Sequence, residues 1–229
     1  MSARWSNEAD DPDVLGVHEE HLLLRGAPWR RFAVVGDSIA AGVGDPVDGY
    51  LPLDWSRRVA RGLRSHHPEL VYLNLGVRGL RAREVRETQL AAALDFAPDL
   101  AAVCAGGNDV MARRFDADAL EQELDALVGA LRESGADVLL FTLLEIGEAI
   151  ALPDPYGTRL GERMAQLALV TTSVARRHDA LLADCAGHPR AADASVYSAD
   201  RLHLNMRGHA VVAAVAMRAL ARDRVSLEA

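Results

Sequence analysis

A serine stands where an apolar run leaves off: Phe32-Ala33-Val34-Val35 ends in Gly36-Asp37-Ser38. A run of this kind, closed by glycine, reads as a buried strand, which puts Ser38 at its carboxyl end. A serine so placed serves as a helix cap, a phosphate ligand or a nucleophile. The third use needs a neighbouring base, because a serine hydroxyl attacks poorly until something accepts its proton. Three other clusters carry suitable polar residues: "NLGVRG" at 74–79, "AGGND" at 105–109 and "ADRLHLNMRGH" at 199–209. In the last of these Asp200 precedes His203 by three residues.

The elements that must position these clusters alternate. Strand-like runs lie at 32–36, 70–75, 100–104, 138–144 and 180–185, with helix-like segments between them. The clearest helix, 118–133, sets Leu120, Leu124, Leu127, Val128 and Leu131 on one face and ends at Ser134-Gly135. Others run near 158–178 and 205–222. Alternation of this kind predicts a parallel sheet with helices on both faces. In such sheets ligands bind beyond the carboxyl ends of the strands. Three of the four polar clusters follow a strand and the fourth precedes the last helix, so all four are expected on one rim.

The 229 residues suffice for one sizeable α/β domain, with an N-terminal arm over residues 1–30. That arm reads as mobile, with a short helix near "HEEHLLL". A chain of this size buries roughly 70–75% of its unfolded surface without needing a disulfide or a metal. The net charge of -8 and the dispersed arginines argue against a nucleic-acid partner. Cys104 and Cys185 sit in strand-like runs and read as structural thiols of a reduced compartment. The acidic start lacks the apolar core of a signal peptide, and no window approaches the ~18 apolar residues of a membrane span. A cytoplasmic location is the expectation. His18 and His21 lack a third ligand, and His203 and His209 lack cysteine or histidine partners, so no metal is expected.

Taken together, Gly36-Asp37-Ser38, Gly79, Gly107-Asn108-Asp109 and Asp200-x-x-His203 resemble the four blocks of the SGNH hydrolases, the GDSL-type esterases and lipases. Each triplet alone is a weak signal; four in order at expected strand ends make a strong one. The resemblance spans residues 32–220 and implies a flavodoxin-like three-layer α/β/α sandwich on a central parallel five-stranded sheet. Within residues 31–229, the expected SGNH-type hydrolase domain, it makes Ser38 the nucleophile, His203 the general base and Asp200 the residue that holds the imidazole. An oxyanion hole would come from the Ser38 and Gly79 backbone N–H groups and the Asn108 side chain. No cofactor is implied. The sequence departs from the pattern at Ile39, which replaces a leucine, and at Leu204, where many members have proline.

The function expected is hydrolysis of a small-molecule carboxylic ester through an acyl-serine. One alternative uses the same chemistry for acyl transfer to an alcohol, and another is a non-catalytic ligand-binding module. A nucleotide-binding module fits less well, because the G-x-G-x-x-G order and a G-x-x-x-x-G-K-[ST] motif are both missing. An α/β-hydrolase fails at the last position of its G-x-S-x-G elbow. Around the site, Asp37, Arg78 and Tyr156 are candidate substrate contacts. The loops at 113–116 and 145–156 are candidate walls, with Glu145 and Glu148 as further polar contacts. Oligomeric state is left open.

Overall fold

The computed structural model describes residues 7–144, 146, 150 and 152–227, and for residues 222–227 the backbone alone. Glu145 and Glu148 lie outside the described residues. Five strands form one parallel sheet: β1 (Arg31–Gly36), β2 (Val71–Asn74), β3 (Leu100–Cys104), β4 (Asp137–Thr142) and β5 (Leu181–Asp184), in the order β2-β1-β3-β4-β5. Every strand pair is parallel, with β1 in register from Phe32 opposite Leu100 to Gly36 opposite Cys104. The sheet is covered on both faces, so β3 is buried at every position and β1 at all but Arg31.

Helices α1 (Val17–Leu23), α2 (Trp55–Arg64) and α7 (Met206–Leu227) pack together on one side, α7 also touching β5. On the other side α3 (Ala82–Phe96), α5 (Ala117–Glu133) and α6 (Tyr156–Arg177) pack side by side and contact β1 and β4. A one-turn helix, α4 (Gly107–Val110), follows β3 and touches α6. The apolar face of α5 is the expected one, with Leu120, Leu124, Leu127, Val128 and Leu131 all buried. The result is the three-layer α/β/α sandwich with a five-stranded parallel sheet. No helix among the described residues is long and apolar enough to cross a membrane.

Two features place a site. The chain passes from β1 outward to β2 and then back across β1 to β3. The loops leaving β1 and β3 therefore diverge and open a crevice between them at the carboxyl edge. Gly36 closes β1 with a φ of 145°, and a Cβ there would fall 1.9 Å from the Cys104 carbonyl oxygen. Only glycine lets β1 and β3 stay paired up to the last residue before Asp37-Ser38.

Residues 7–30, read from sequence as part of a mobile arm, lie against this body. Val14, Leu15, Leu24 and Trp29 belong to the core, and the Trp29 indole donates to Asp137 at 2.8 Å. Asp11, 3% exposed, receives the Arg207 Nε at 2.7 Å from α7. The burial of that pair ties the N-terminal segment to the helix behind His203. Nothing local in the sequence announces a contact across so long a separation.

Candidate active site

The turn that carries Asp200 and His203 is built by a single carboxylate. Asp200 Oδ1 accepts from the backbone N–H groups of Leu202 and His203, each at 3.0 Å, which folds the three-residue spacing into a tight loop. Arg201 takes a left-handed φ of 56° to complete it. The other oxygen, Oδ2, meets His203 Nδ1 at 2.6 Å. One side chain thus shapes the backbone and orients the ring. Burial raises the Asp200 carboxyl, but the hydrogen bonds from the His203 ring and backbone and from Leu202 outweigh it and hold the pKa down at about 2.

The loop is anchored from behind. The His203 carbonyl accepts from Ser198 N at 2.7 Å, and the Ser198 hydroxyl donates to the Leu204 carbonyl at 2.9 Å. Leu204, where a proline was the commoner expectation, forms a bridge to Tyr197. Asn205 Oδ1 accepts from Gly208 N in the first turn of α7, while its amide donates to the Ser195 and Tyr197 carbonyls. Arg207 adds a 2.6 Å bond from Nη1 to the Ser195 hydroxyl.

Ser38 lies in the turn after β1, 8% exposed. It caps no helix: residues 38–42 are turns, and the next helix, α2, is capped by Asp54 through Ser56 N and Arg57 N. Among the described residues Ser38 Oγ and His203 Nε2 carry no hydrogen bond, and the Ser38 and Gly79 N–H groups donate to no protein acceptor. For Ser38, a buried residue, an N–H without a partner is uncommon and points to an acceptor from outside the protein. Gly79 is exposed in the loop after β2, with φ at 88° and open space where a Cβ would stand.

Asn108, in α4, reaches between these loops. Its Nδ2 donates to the Leu80 carbonyl at 2.9 Å, next to Gly79, and more weakly to Asp37 Oδ2 at 3.4 Å. Asp37 is 2% exposed, and its Oδ1 accepts from Ile39 N at 3.0 Å. Burial, only partly offset by that bond and reinforced by the Asp109 charge, pushes the Asp37 pKa up to about 7. Asp109 meanwhile accepts from Ala82 N at 2.9 Å at the start of α3. Both aspartates hold loops together.

Asp37, Ser38, Asn108 and His203 line one cavity. Asp200, exposed and not among the residues lining the cavity, holds the ring from its Nδ1 side. Gly79, Arg78 and Tyr156 are not among the lining residues either; Arg78 and Tyr156 are exposed, Tyr156 in the first turn of α6. Of the expected wall loops, that at 145–156 contributes Ile146, whereas residues 113–116 do not line the cavity; Met111, outside both, does. The sequence reading missed much of the wall, including Leu143 and Leu144 just past β4, and both cysteines. Cys104 and Cys185 are free and buried, as expected, yet Cys104 closes β3 and Cys185 follows β5 directly, and both line the cavity at the carboxyl edge. Position at a strand's end was the signal that could have found them. Among the described residues no cluster of His, Cys, Asp and Glu is arranged to hold a metal ion.

Comparison with known proteins identifies the family and the fold. The model of the GDSL-like lipase/acylhydrolase family matches residues 34–211. No curated protein sequence gives a significant match. Among solved structures, a lipase/acylhydrolase from Enterococcus faecalis is 21% identical, with a TM-score of 0.66 over 85% of this chain and 96% of that one. An α/β hydrolase enzyme from the metagenome of Lake Arreo, Spain, is 23% identical, with a TM-score of 0.66 over 83% and 94% of the two chains. An acetylxylan esterase from Geobacillus stearothermophilus is 20% identical, with a TM-score of 0.65 over 83% and 94%. At such identities the likeness is one of fold.

Proposed function

The chain belongs to the GDSL-like lipase/acylhydrolase family, and from that premise we propose that it is a serine esterase working through an acyl-Ser38 intermediate. The observation that carries the reading is the shared cavity. Ser38 and His203 line it, Asp200 fixes the far nitrogen of the ring, and the N–H of buried Ser38 donates to no protein acceptor.

In the first half-reaction His203 Nε2 takes the Ser38 proton as Oγ attacks the ester carbonyl carbon. Asp200, ionised at any pH well above 2, stabilises the imidazolium through the bond to Nδ1. The carbonyl oxygen gains the negative charge and is met by the Ser38 and Gly79 N–H groups and by the Asn108 N–H that otherwise makes only the long 3.4 Å contact to Asp37. Collapse of the tetrahedral species breaks the bond to the alcohol, which leaves with the proton from His203. Water then repeats the cycle on the acyl-serine: His203 accepts its proton, the acid departs and Ser38 is restored. One ester and one water give one acid and one alcohol.

Treatment with a fluorophosphonate, followed by intact mass, tests the nucleophile. One adduct is expected on the wild type and none on Ser38→Ala; no adduct on folded wild type refutes the reading. Asn108→Ala is expected to lower kcat about 100- to 1,000-fold with a small change in KM, the usual cost of one oxyanion donor. Steady-state kinetics on an activated ester measure it. A loss below three-fold would remove Asn108 from that role.

A further inference from the structure

General-base catalysis requires His203 Nε2 to come within hydrogen-bond reach of Ser38 Oγ, and the two sit on loops far apart in the sequence. The loop that carries the base is internally stiff. Besides the two bonds that Asp200 Oδ1 accepts, Ser198 closes it on itself. The Ser198 N–H donates to the His203 carbonyl at 2.7 Å, its carbonyl accepts from Arg201 N at 2.9 Å, and its hydroxyl donates to the Leu204 carbonyl at 2.9 Å. Asp200 and His203 therefore move as one piece, and what sets their distance from Ser38 must lie outside that piece.

Asp45 lies there. Its N–H donates to Ser198 Oγ at 2.9 Å, its Oδ2 accepts from Ala199 N at 2.8 Å, and its carbonyl accepts from Met206 N at 3.0 Å. These bonds grip the chain on both sides of Asp200 and His203. Toward the nucleophile, Val43 N donates to the Ser38 carbonyl at 3.0 Å, and the Val43 carbonyl accepts from Nε2 of buried His209 at 3.3 Å. Between them the Gly44 backbone packs so close that a Cβ would fall 2.1 Å from the Leu204 carbonyl oxygen. Residues 43–45 are thus wedged between the Ser38 turn and the His203 loop.

We propose that Asp45 and Ser198 are positioning residues, a clasp that sets the approach of His203 to Ser38. The proposal rests on the acyl-Ser38 reading above and adds to it two residues that do not line the cavity. A purely structural part fits Asp45 poorly, because it is exposed and belongs to no helix or strand. What its bonds join is the segment tied to the nucleophile and the loop of the base.

Steady-state kinetics on an activated ester and the rate of fluorophosphonate labelling test the clasp in Ser198→Ala, Asp45→Ala and Asp45→Asn. Ser198→Ala is expected to lower kcat about 100-fold, the cost of a displacement near 1 Å. Asp45→Ala, which keeps both backbone bonds, is expected to lose about ten-fold. KM is expected to stay within about two-fold in each, because the clasp acts on the reacting groups and not on substrate binding. Asp45→Asn, which keeps an oxygen for Ala199 N, is expected to recover most of the wild-type kcat. Labelling is expected to slow in step with kcat, since Ser38 needs the same base for both. Should Ser198→Ala fail to fold, the two variants at exposed Asp45 decide alone. Wild-type kcat in Asp45→Ala whatever its Tm, a loss in KM instead of kcat, or Asp45→Asn as slow as Asp45→Ala overturns the clasp while leaving the esterase reading intact. No adduct and no hydrolysis with the folded wild type overturns both.

Discussion

His203→Ala is expected to lower kcat about a million-fold while leaving the fold in place. A hydroxyl without its base forfeits nearly all of the triad's contribution, and loss of the base alone costs about as much as loss of the whole triad. Asp200→Asn is expected to cost about ten thousand-fold, because an amide no longer fixes the imidazole tautomer or stabilises the imidazolium. The comparison is sharper here than in most sites. Asp200 Oδ1 also holds the Leu202 and His203 N–H groups. An asparagine keeps an oxygen for that duty, so Asp200→Asn separates the electrostatic role from the structural one, whereas Asp200→Ala removes both. Burst and steady-state kinetics on an activated ester, with circular dichroism as the check on folding, measure all three. Retention of a tenth of wild-type activity by folded His203→Ala would end the proposal that the histidine is the base.

Much of this site was legible because its parts sit at strand ends, and strand ends are written locally. An apolar run closed by Gly36 locates Ser38, and "LAAVC", followed by Ala105 and two glycines, locates β3 to the residue and Asn108 beyond it. The β4 run was less faithful. Read to Leu144, the strand ends at Thr142, because Leu143 and Leu144 leave the sheet to line the cavity. Apolarity marks burial and is blind to whether the covered surface faces core or substrate. Contacts that bring distant segments together left no trace at all. The Asp11–Arg207 pair and the bond from Arg190 to Asp13 turn the supposed arm into a brace for the His203 loop. Neither partner carries any local pattern that names the other. The amphipathic periods of α5 and α6 announced themselves; α2 and α3, shorter or richer in arginine, were seen only as intervals between strands.

Asp37→Asn is expected to stabilise the protein relative to the wild type by a margin that grows between about pH 4 and pH 7 and then holds at the order of 4 kcal/mol. The buried carboxyl titrates at about 7 in the folded chain and at its ordinary 3.8 when unfolded. Between those values the folded state binds the additional proton. The favourable contribution of Asp37 is therefore fully present below about pH 4 and is lost as pH rises through 7. Three pKa units correspond to about 4 kcal/mol. Asparagine has no charge to desolvate, so the difference in unfolding free energy between variant and wild type should climb from about pH 4 to pH 7 and level off between pH 7 and pH 9, other groups cancelling. Urea unfolding of both proteins across that range measures it, and a difference independent of pH would refute it. The wild-type residue tolerates this cost for a positional reason. Its two oxygens accept from Ile39 N, just past Ser38, and from the Asn108 amide. An asparagine preserves the first contact and turns the second into donor facing donor. The same variant should accordingly be more stable and less active at pH 8, the trade expected where a strained group positions a site.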